Sequence, residues 1–180
     1  MHTFPGIYDF HLNPELPGER QAAEIYFPND LRLRGKVGLK VEFTLAKGAT
    51  WVGVFAEGYE STDVITGVFP TPNDHFACVI AQGRGYLIDV MRPEEWKSIS
   101  VFPVTSIAAS ESEHCLILTN HTNLAVLSED GASWTTDRLA SDELHIVGLV
   151  GHVVQLEGWI AEENRRCPVA FDLRSRRAMQ

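Results

Sequence analysis

Two stretches of this chain share one pattern. Tyr86-Leu87-Ile88-Asp89-Val90 leads through Pro93 to Trp96, and Leu124-Ala125-Val126-Leu127 leads through Gly131 to Trp134, at an offset of 38. Upstream, Phe76-Ala77-Cys78-Val79-Ile80 corresponds to Glu113-His114-Cys115-Leu116-Ile117 at an offset of 37. A third, partial copy starts at Gly151, with His152 to Leu156 as its first strand and Val169 to Leu173 as its second. Each unit reads strand, turn, strand, polar turn with tryptophan, strand. Such a repeat constrains the fold more than any single segment does. A unit this short cannot bury its apolar face alone, so neighbouring units must stack.

The local pattern agrees with strands. Val37, Leu39, Val41, Phe43 and Leu45 alternate with Gly38, Lys40, Glu42 and Thr44, the period of a half-buried strand. Trp51 to Ala56, Val64 to Phe69, Phe76 to Ala81, Tyr86 to Met91, Ser98 to Ile107, Cys115 to Thr119, Leu124 to Leu127, His145 to Val150, Val153 to Leu156 and Val169 to Leu173 continue it. No segment carries a sustained apolar stripe at helical spacing. Single helical turns are expected only at Pro93 to Trp96 and Asp137 to Leu144. The predicted fold is all-β, an antiparallel meander of about ten to twelve short strands. A period near 38–45 residues is that of propeller blades, and the chain has room for three to four such units. A sandwich or barrel is the alternative arrangement of the same strands.

Residues 1–36 differ from the rest. Pro5, Pro14, Pro17 and Pro28 interrupt them, aromatic residues are scattered through them, and one short helix fits over Glu15 to Ile25. They are expected to form an irregular arm whose aromatics pack on the body. Residues 37–175 then make one all-β domain and 176–180 a tail.

Charge narrows the function classes. Lys and Arg total 15 against 24 Asp and Glu, a formal net charge of −9. An acidic surface repels phosphate backbones, so no nucleic-acid partner is expected. No apolar run approaches the ~20 residues of a membrane span, and the N-terminus lacks the basic and apolar regions of a secretory signal. Three cysteines without paired spacing fit a reducing compartment, here the cytoplasm. Residues 92–163 carry three basic and twelve acidic residues, whereas 164–180 carry five arginines and one acid. The basic tail is suited to pairing with the acidic body, in this chain or in a second copy, so self-association is one possible partnership.

Ser128-Glu129-Asp130-Gly131-Ala132-Ser133-Trp134 resembles the Asp-box turn of sialidase-like propellers. Gly131 directly follows Asp130, and Ser133 stands where that family has threonine. The resemblance implies a structural turn in which Asp130 caps backbone amides and Trp134 packs between sheets. It does not imply sialidase activity, because 92–163 holds no arginine cluster for a substrate carboxylate. From about Gly67 to Arg174 the chain is also similar to small uncharacterised bacterial proteins. Gly85-Tyr86-Leu87-Ile88-Asp89, Pro93-Glu94-Glu95-Trp96, Phe102-Pro103-Val104, Asp130-Gly131 and Asp172-Leu173-Arg174 carry that similarity. It implies a single bacterial cytosolic domain and supplies no mechanism.

The candidate chemistry is dispersed. His75 and Cys78 stand as His-x-x-Cys, and His114 adjoins Cys115. The repeat places Cys78 and Cys115 at equivalent strand positions, so a metal site on His75, Cys78, His114 and Cys115 is one reading and plain core packing the other. His114 cannot easily activate Cys115, because adjacent strand residues face opposite ways. Cys167 follows Arg165-Arg166, whose charge favours a thiolate, but a turn cysteine next to a strand is more often inert. The acidic pairs Glu94-Glu95, Glu111/Glu113, Asp142-Glu143 and Glu162-Glu163 all fall in expected turns, where solvated charges are the rule. A glycosidase would need two carboxyls held ~5 to 9.5 Å apart in a cleft. Gly83-Arg84-Gly85 precedes a strand and reads as a hairpin turn, not a phosphate loop. No cofactor is expected. The leading expectation is a non-enzymatic binding module for a protein or small ligand. Its contact surface would be the turn bearing Arg92, Glu94 and Trp96 with the matching turn bearing Asp130 and Trp134. A hydrolase or carbohydrate-active domain using clustered carboxylates, or a His/Cys metal site, is the alternative.

Overall fold

A computed structural model describes residues 4–14, 24–28, 38–46 and 48–179. The described residues are all-β and form four four-stranded sheets. In the first sheet β1 (Tyr8–Leu12), β2 (Glu24–Phe27), β3 (Leu39–Leu45) and β4 (Thr50–Phe55) lie in the order β1-β3-β4-β2, with β2 parallel to β4. The other three sheets are plain antiparallel meanders. The second comprises β5 (Gly67–Pro70), β6 (Phe76–Ala81), β7 (Arg84–Asp89) and β8 (Trp96–Ser98). The third comprises β9 (Ser106–Ser110), β10 (Cys115–Thr119), β11 (Leu124–Ser128) and β12 (Ser133–Thr135). The fourth comprises β13 (Asp142–Val150), β14 (Val153–Ile160), β15 (Arg165–Asp172) and β16 (Arg177–Met179). None of the helix needed to cross a membrane is present among the described residues.

The sheets stack in chain order through three separate cores. Phe27, Val41, Phe43 and Phe55 of the first sheet meet Ala77, Val79, Ala81 and Tyr86 of the second. Cys78, Ile80 and Leu87 on the opposite face of the second sheet meet Leu116, Leu118, Ala125 and Leu127 of the third. Ile117, Leu124 and Val126, on the far face of the third, meet Val154, Leu156 and Phe171 of the fourth. The central strands β6 and β10 are therefore buried on both faces. That is why they read as continuous apolar runs, while β3, covered on one face, alternates. The small Ala77 and Ala81 face the large rings of the first sheet, where Phe27 stacks on Phe55 at 4.7 Å and Phe43 on Trp51 at 4.6 Å.

The repeat has a physical basis in the last hairpin of each meander. Asp89 ends β7 and its Oδ1 accepts the amides of Met91 (2.9 Å) and Arg92 (3.2 Å). Asp172 ends β15 and its Oδ1 accepts those of Arg174 (2.8 Å) and Ser175 (3.0 Å). Ser128 takes the matching place in the third sheet, and there Asp130 Oδ1 accepts the Ala132 amide at 2.9 Å. Gly131 adopts φ +73° in that turn, and a Cβ on it would lie 2.7 Å from the Phe76 ring.

Pairing corrects the repeat register. Phe76 pairs with Asp89 and Cys115 with Ser128, so the counterpart of Cys78 is Ile117, not Cys115. The expected strand Ser98 to Ile107 is interrupted between β8 and β9, where the chain crosses from the second sheet to the third and Ile99, Val101 and Val104 turn into their shared core. Neither Pro93 to Trp96 nor Asp137 to Leu144 forms a helical turn. The expected helix over Glu15 to Ile25 lies outside the described residues except for Glu24 and Ile25, which belong to β2. Where an irregular arm is expected, β1 and β2 are paired strands that carry Tyr8 and Phe27 into the first core. Arg177 to Met179, read as tail, pairs with β15.

Candidate functional site

The tryptophans of the two turns pack on different cores. Trp96 is half-buried in the first core, 5.9 Å from both Phe27 and Tyr86. Trp134 is half-buried against the third core, 6.0 Å from Phe171, with the Arg176 guanidinium 4.9 Å from its ring centre. Arg92 is held by Asp89 at 2.8 Å and Glu95 at 2.6 Å, and Glu94 is exposed beside it. The Asp130 turn leans on the second sheet, where Asn73 Nδ2 donates to the Glu129 carbonyl (3.1 Å) and Lys97 Nζ to that of Gly131 (3.2 Å). Of the side chains expected to bind a partner, the two tryptophans pack into cores, while Arg92 and Asp130 hold their own turns and Glu94 is exposed.

The expected metal set does not converge. Cys78 faces the second core and Cys115 the third, while His75 and His114 are exposed in turns. Among the described residues no group of three or more His, Cys, Asp and Glu is placed to hold a metal ion. All three thiols are free and buried. Burial pushes the Cys78 thiol far above the ordinary range and Cys115 up to about 11. Cys167 is raised by burial and by the Glu163 carboxylate that accepts its S–H at 3.3 Å, and these outweigh the lowering by Arg165. Native protein at pH 8 is therefore expected to react with a disulfide reagent far more slowly than the guanidinium-unfolded chain, which should release all three thiols at once. A thiol that titrates in seconds in the native state would contradict this placement.

The polar groups gather elsewhere, in a cleft of about 220 Å³ at the junction of the third and fourth sheets. Asp63, Thr105, His121, Glu143, Leu144, His145 and Arg166 line it. A bulge at the start of β13 creates the arrangement. The pairing with β14 slips between Asp142 and His145, and Glu143 adopts φ +55°. A non-glycine residue in that region costs energy and is held there by its surroundings; bulges of this kind re-aim side chains beside functional sites. Here Asp142 Oδ1 accepts the Glu143 amide at 2.7 Å, and the Leu144 amide donates to the His121 carbonyl at 3.0 Å. Behind them Ser106 Oγ accepts the Ile146 amide at 3.0 Å and lies 2.5 Å from Thr119 Oγ1.

Acidic and basic side chains meet at two places in the cleft. Arg166 donates Nε to Glu143 Oε2 at 2.8 Å, its Nη2 lies 2.8 Å from the same oxygen, and that contact raises its pKa further. His121 Nδ1 stands 3.5 Å from Asp142 Oδ1. His145 Nδ1 lies 3.0 Å from the Glu143 carbonyl, so a proton on Nδ1 leaves Nε2 as an acceptor. The result is a half-open pocket with guanidinium, imidazole, carboxylate and hydroxyl groups in reach of one small ligand. In the sequence Asp142-Glu143 reads as solvated charge and Arg166 as a neighbour of Cys167 within a basic segment suited to pairing with the acidic body, which is what its contact with Glu143 does; nothing there singles out Asp63 or His145. The one local signal was Asp-Glu-x-His at the head of a strand. The sequence matches no protein-family model, and no curated protein matches it.

Proposed function

We propose that this protein is a non-enzymatic binding domain that takes a small polar ligand in the cleft between its third and fourth sheets. The observation that carries this reading is the convergence of Asp63, His121, Glu143, His145 and Arg166 on one hollow of about 220 Å³. Donors and acceptors stand side by side there, since Arg166 is already neutralised by Glu143 and His121 adjoins Asp142. Such a surface suits a ligand that both donates and accepts, such as a polyhydroxy compound or a zwitterion, better than a bare anion or cation. The buried thiols offer no activated nucleophile. They also agree with a reducing, cytoplasmic setting.

A thermal-melt screen of sugars, amino acids, nucleotides, zinc and calcium tests this. A ligand at 100 times its dissociation constant stabilises by about 2.7 kcal/mol, a shift of several degrees for a domain of this size. The shift is expected with wild type and lost in Arg166→Gln. A flat screen, or a shift that Arg166→Gln preserves, overturns the assignment to this cleft. Asp63 and Glu143 in one hollow also keep a carboxylate-based hydrolase as a second reading. Turnover of a chromogenic glycoside or ester, abolished by Glu143→Gln, would favour it.

A further inference from the structure

A second hollow, of about 210 Å³, opens between the first and second sheets and shares no lining residue with the polar cleft. Pro28, Tyr86, Trp96, Ile99 and Phe102 supply apolar walls and Arg84 its one charge. Gly85 lets Ile99 form the floor, because a Cβ there would stand 2.8 Å from the Ile99 Cβ. Phe102 is 47% exposed and is met edge-on by Tyr59, itself 44% exposed, at 5.8 Å. These are large apolar surfaces to leave in water beside a cavity, and aromatic residues with arginine are the composition of binding hot spots.

Arg84 gives the groove its selectivity. Arg92, Arg165, Arg166 and Arg174 are each held by a carboxylate. Arg84 is not: among the described residues its guanidinium meets only the Phe102 ring, 6.0 Å to the centroid, and the Tyr86 hydroxyl. In a chain of net charge −9 this arginine is a cation to which no carboxylate among the described residues serves as counter-ion. The Phe102 ring shields one side of the guanidinium from water, which favours a charge-assisted bond to an incoming carboxylate. The groove also runs beside β8, the edge strand of its sheet, whose Trp96 and Ser98 line it. An edge strand offers main-chain groups to an extended segment.

We propose that this groove docks an extended peptide segment of a partner protein, with an aromatic or proline ring seated between Trp96 and Phe102 and an adjacent acidic side chain paired with Arg84. The site and its ligand are independent of the polar cleft.

The test is a nitrogen-15 NMR titration with the blocked peptide acetyl-Ala-Phe-Asp-Pro-Ala-amide and its asparagine counterpart. Saturable shifts are expected at the Trp96 indole N–H and at the amides of Arg84, Gly85 and Phe102. The asparagine peptide, and Arg84→Gln with the aspartate peptide, should each bind about tenfold more weakly, as loss of a charge-assisted bond implies. Arg84 is exposed, so the variant should keep a dispersed spectrum. Phe102→Ser should weaken both peptides alike. Equal affinity for the two peptides, shifts centred on His121 and His145, or no saturation at millimolar peptide would each overturn the proposal.

Discussion

Phe55→Ala is expected to lower the unfolding free energy by about 3–5 kcal/mol, and to do so unevenly along the molecule. Phe55 is fully buried, stacks on Phe27 at 4.7 Å and lies 5.3 Å from the Tyr86 ring of the second sheet. A total stability of ~5–15 kcal/mol would lose a large fraction at once. The first, second and third cores share no buried residue, so each interface is a nearest-neighbour contact. Stability in such an array is close to a sum over units and interfaces. Hydrogen exchange should then show amides of β3, β4 and β7 losing more protection than those of β14 and β15. Leu156→Ala, in the third core, should reverse that order, at about 2–5 kcal/mol. Equal losses everywhere in both variants would mean that the four sheets unfold as one unit and that the stack is not modular.

The parts of this fold that were legible in the sequence are those where burial dictates the residue. Val41 and Phe43 alternate with polar residues because one face of β3 meets the core. Phe76 to Ala81 and Cys115 to Thr119 are continuous apolar runs because sheets cover both faces. The illegible strands are edges. β12, β16 and most of β1 are exposed, with no apolar alternation, and they exist because a neighbour's backbone is there to pair with. The repeat was visible, but its register slipped by two residues upstream and by one downstream, where Asp89 answers to Ser128. The turns entering β6 and β10 differ in build: Thr71 accompanies Asn73 in one, and His114 at φ +46° closes the other. Aligning the cysteines therefore mismatched the strands, and the supposed partnership of Cys78 and Cys115 was a consequence. The polar cleft was hidden for another reason. Asp63, His121, Glu143 and Arg166 come from four separate segments, each unremarkable alone, and only the bulge in β13 brings Glu143 to Arg166.

The hairpin carboxylates offer the sharper check on what the repeat means physically. Asp89→Ala is expected to cost about 1–3 kcal/mol, and Asp89→Asn much less. Asp89 is only 3% exposed, yet it is a charged side chain. Its Oδ1 serves two turn amides and its Oδ2 the Arg92 guanidinium at 2.8 Å. Alanine leaves the Met91 and Arg92 amides without their acceptor, and an unsatisfied donor costs more than a hydrogen bond contributes. Asparagine keeps Oδ1 and loses only the pair with the half-exposed Arg92, which is worth little. The Ala and Asn variants, compared by urea unfolding, separate a backbone-capping role from an ionic one. If both lose the same amount, the ion pair with Arg92 holds the turn, and the match to Asp172, which caps Arg174 and Ser175 the same way, is coincidence. If only alanine is costly, the repeated element is the capped hairpin itself. Its tryptophan and arginine then vary in what they touch because the cap, and not the contact, is what each unit requires.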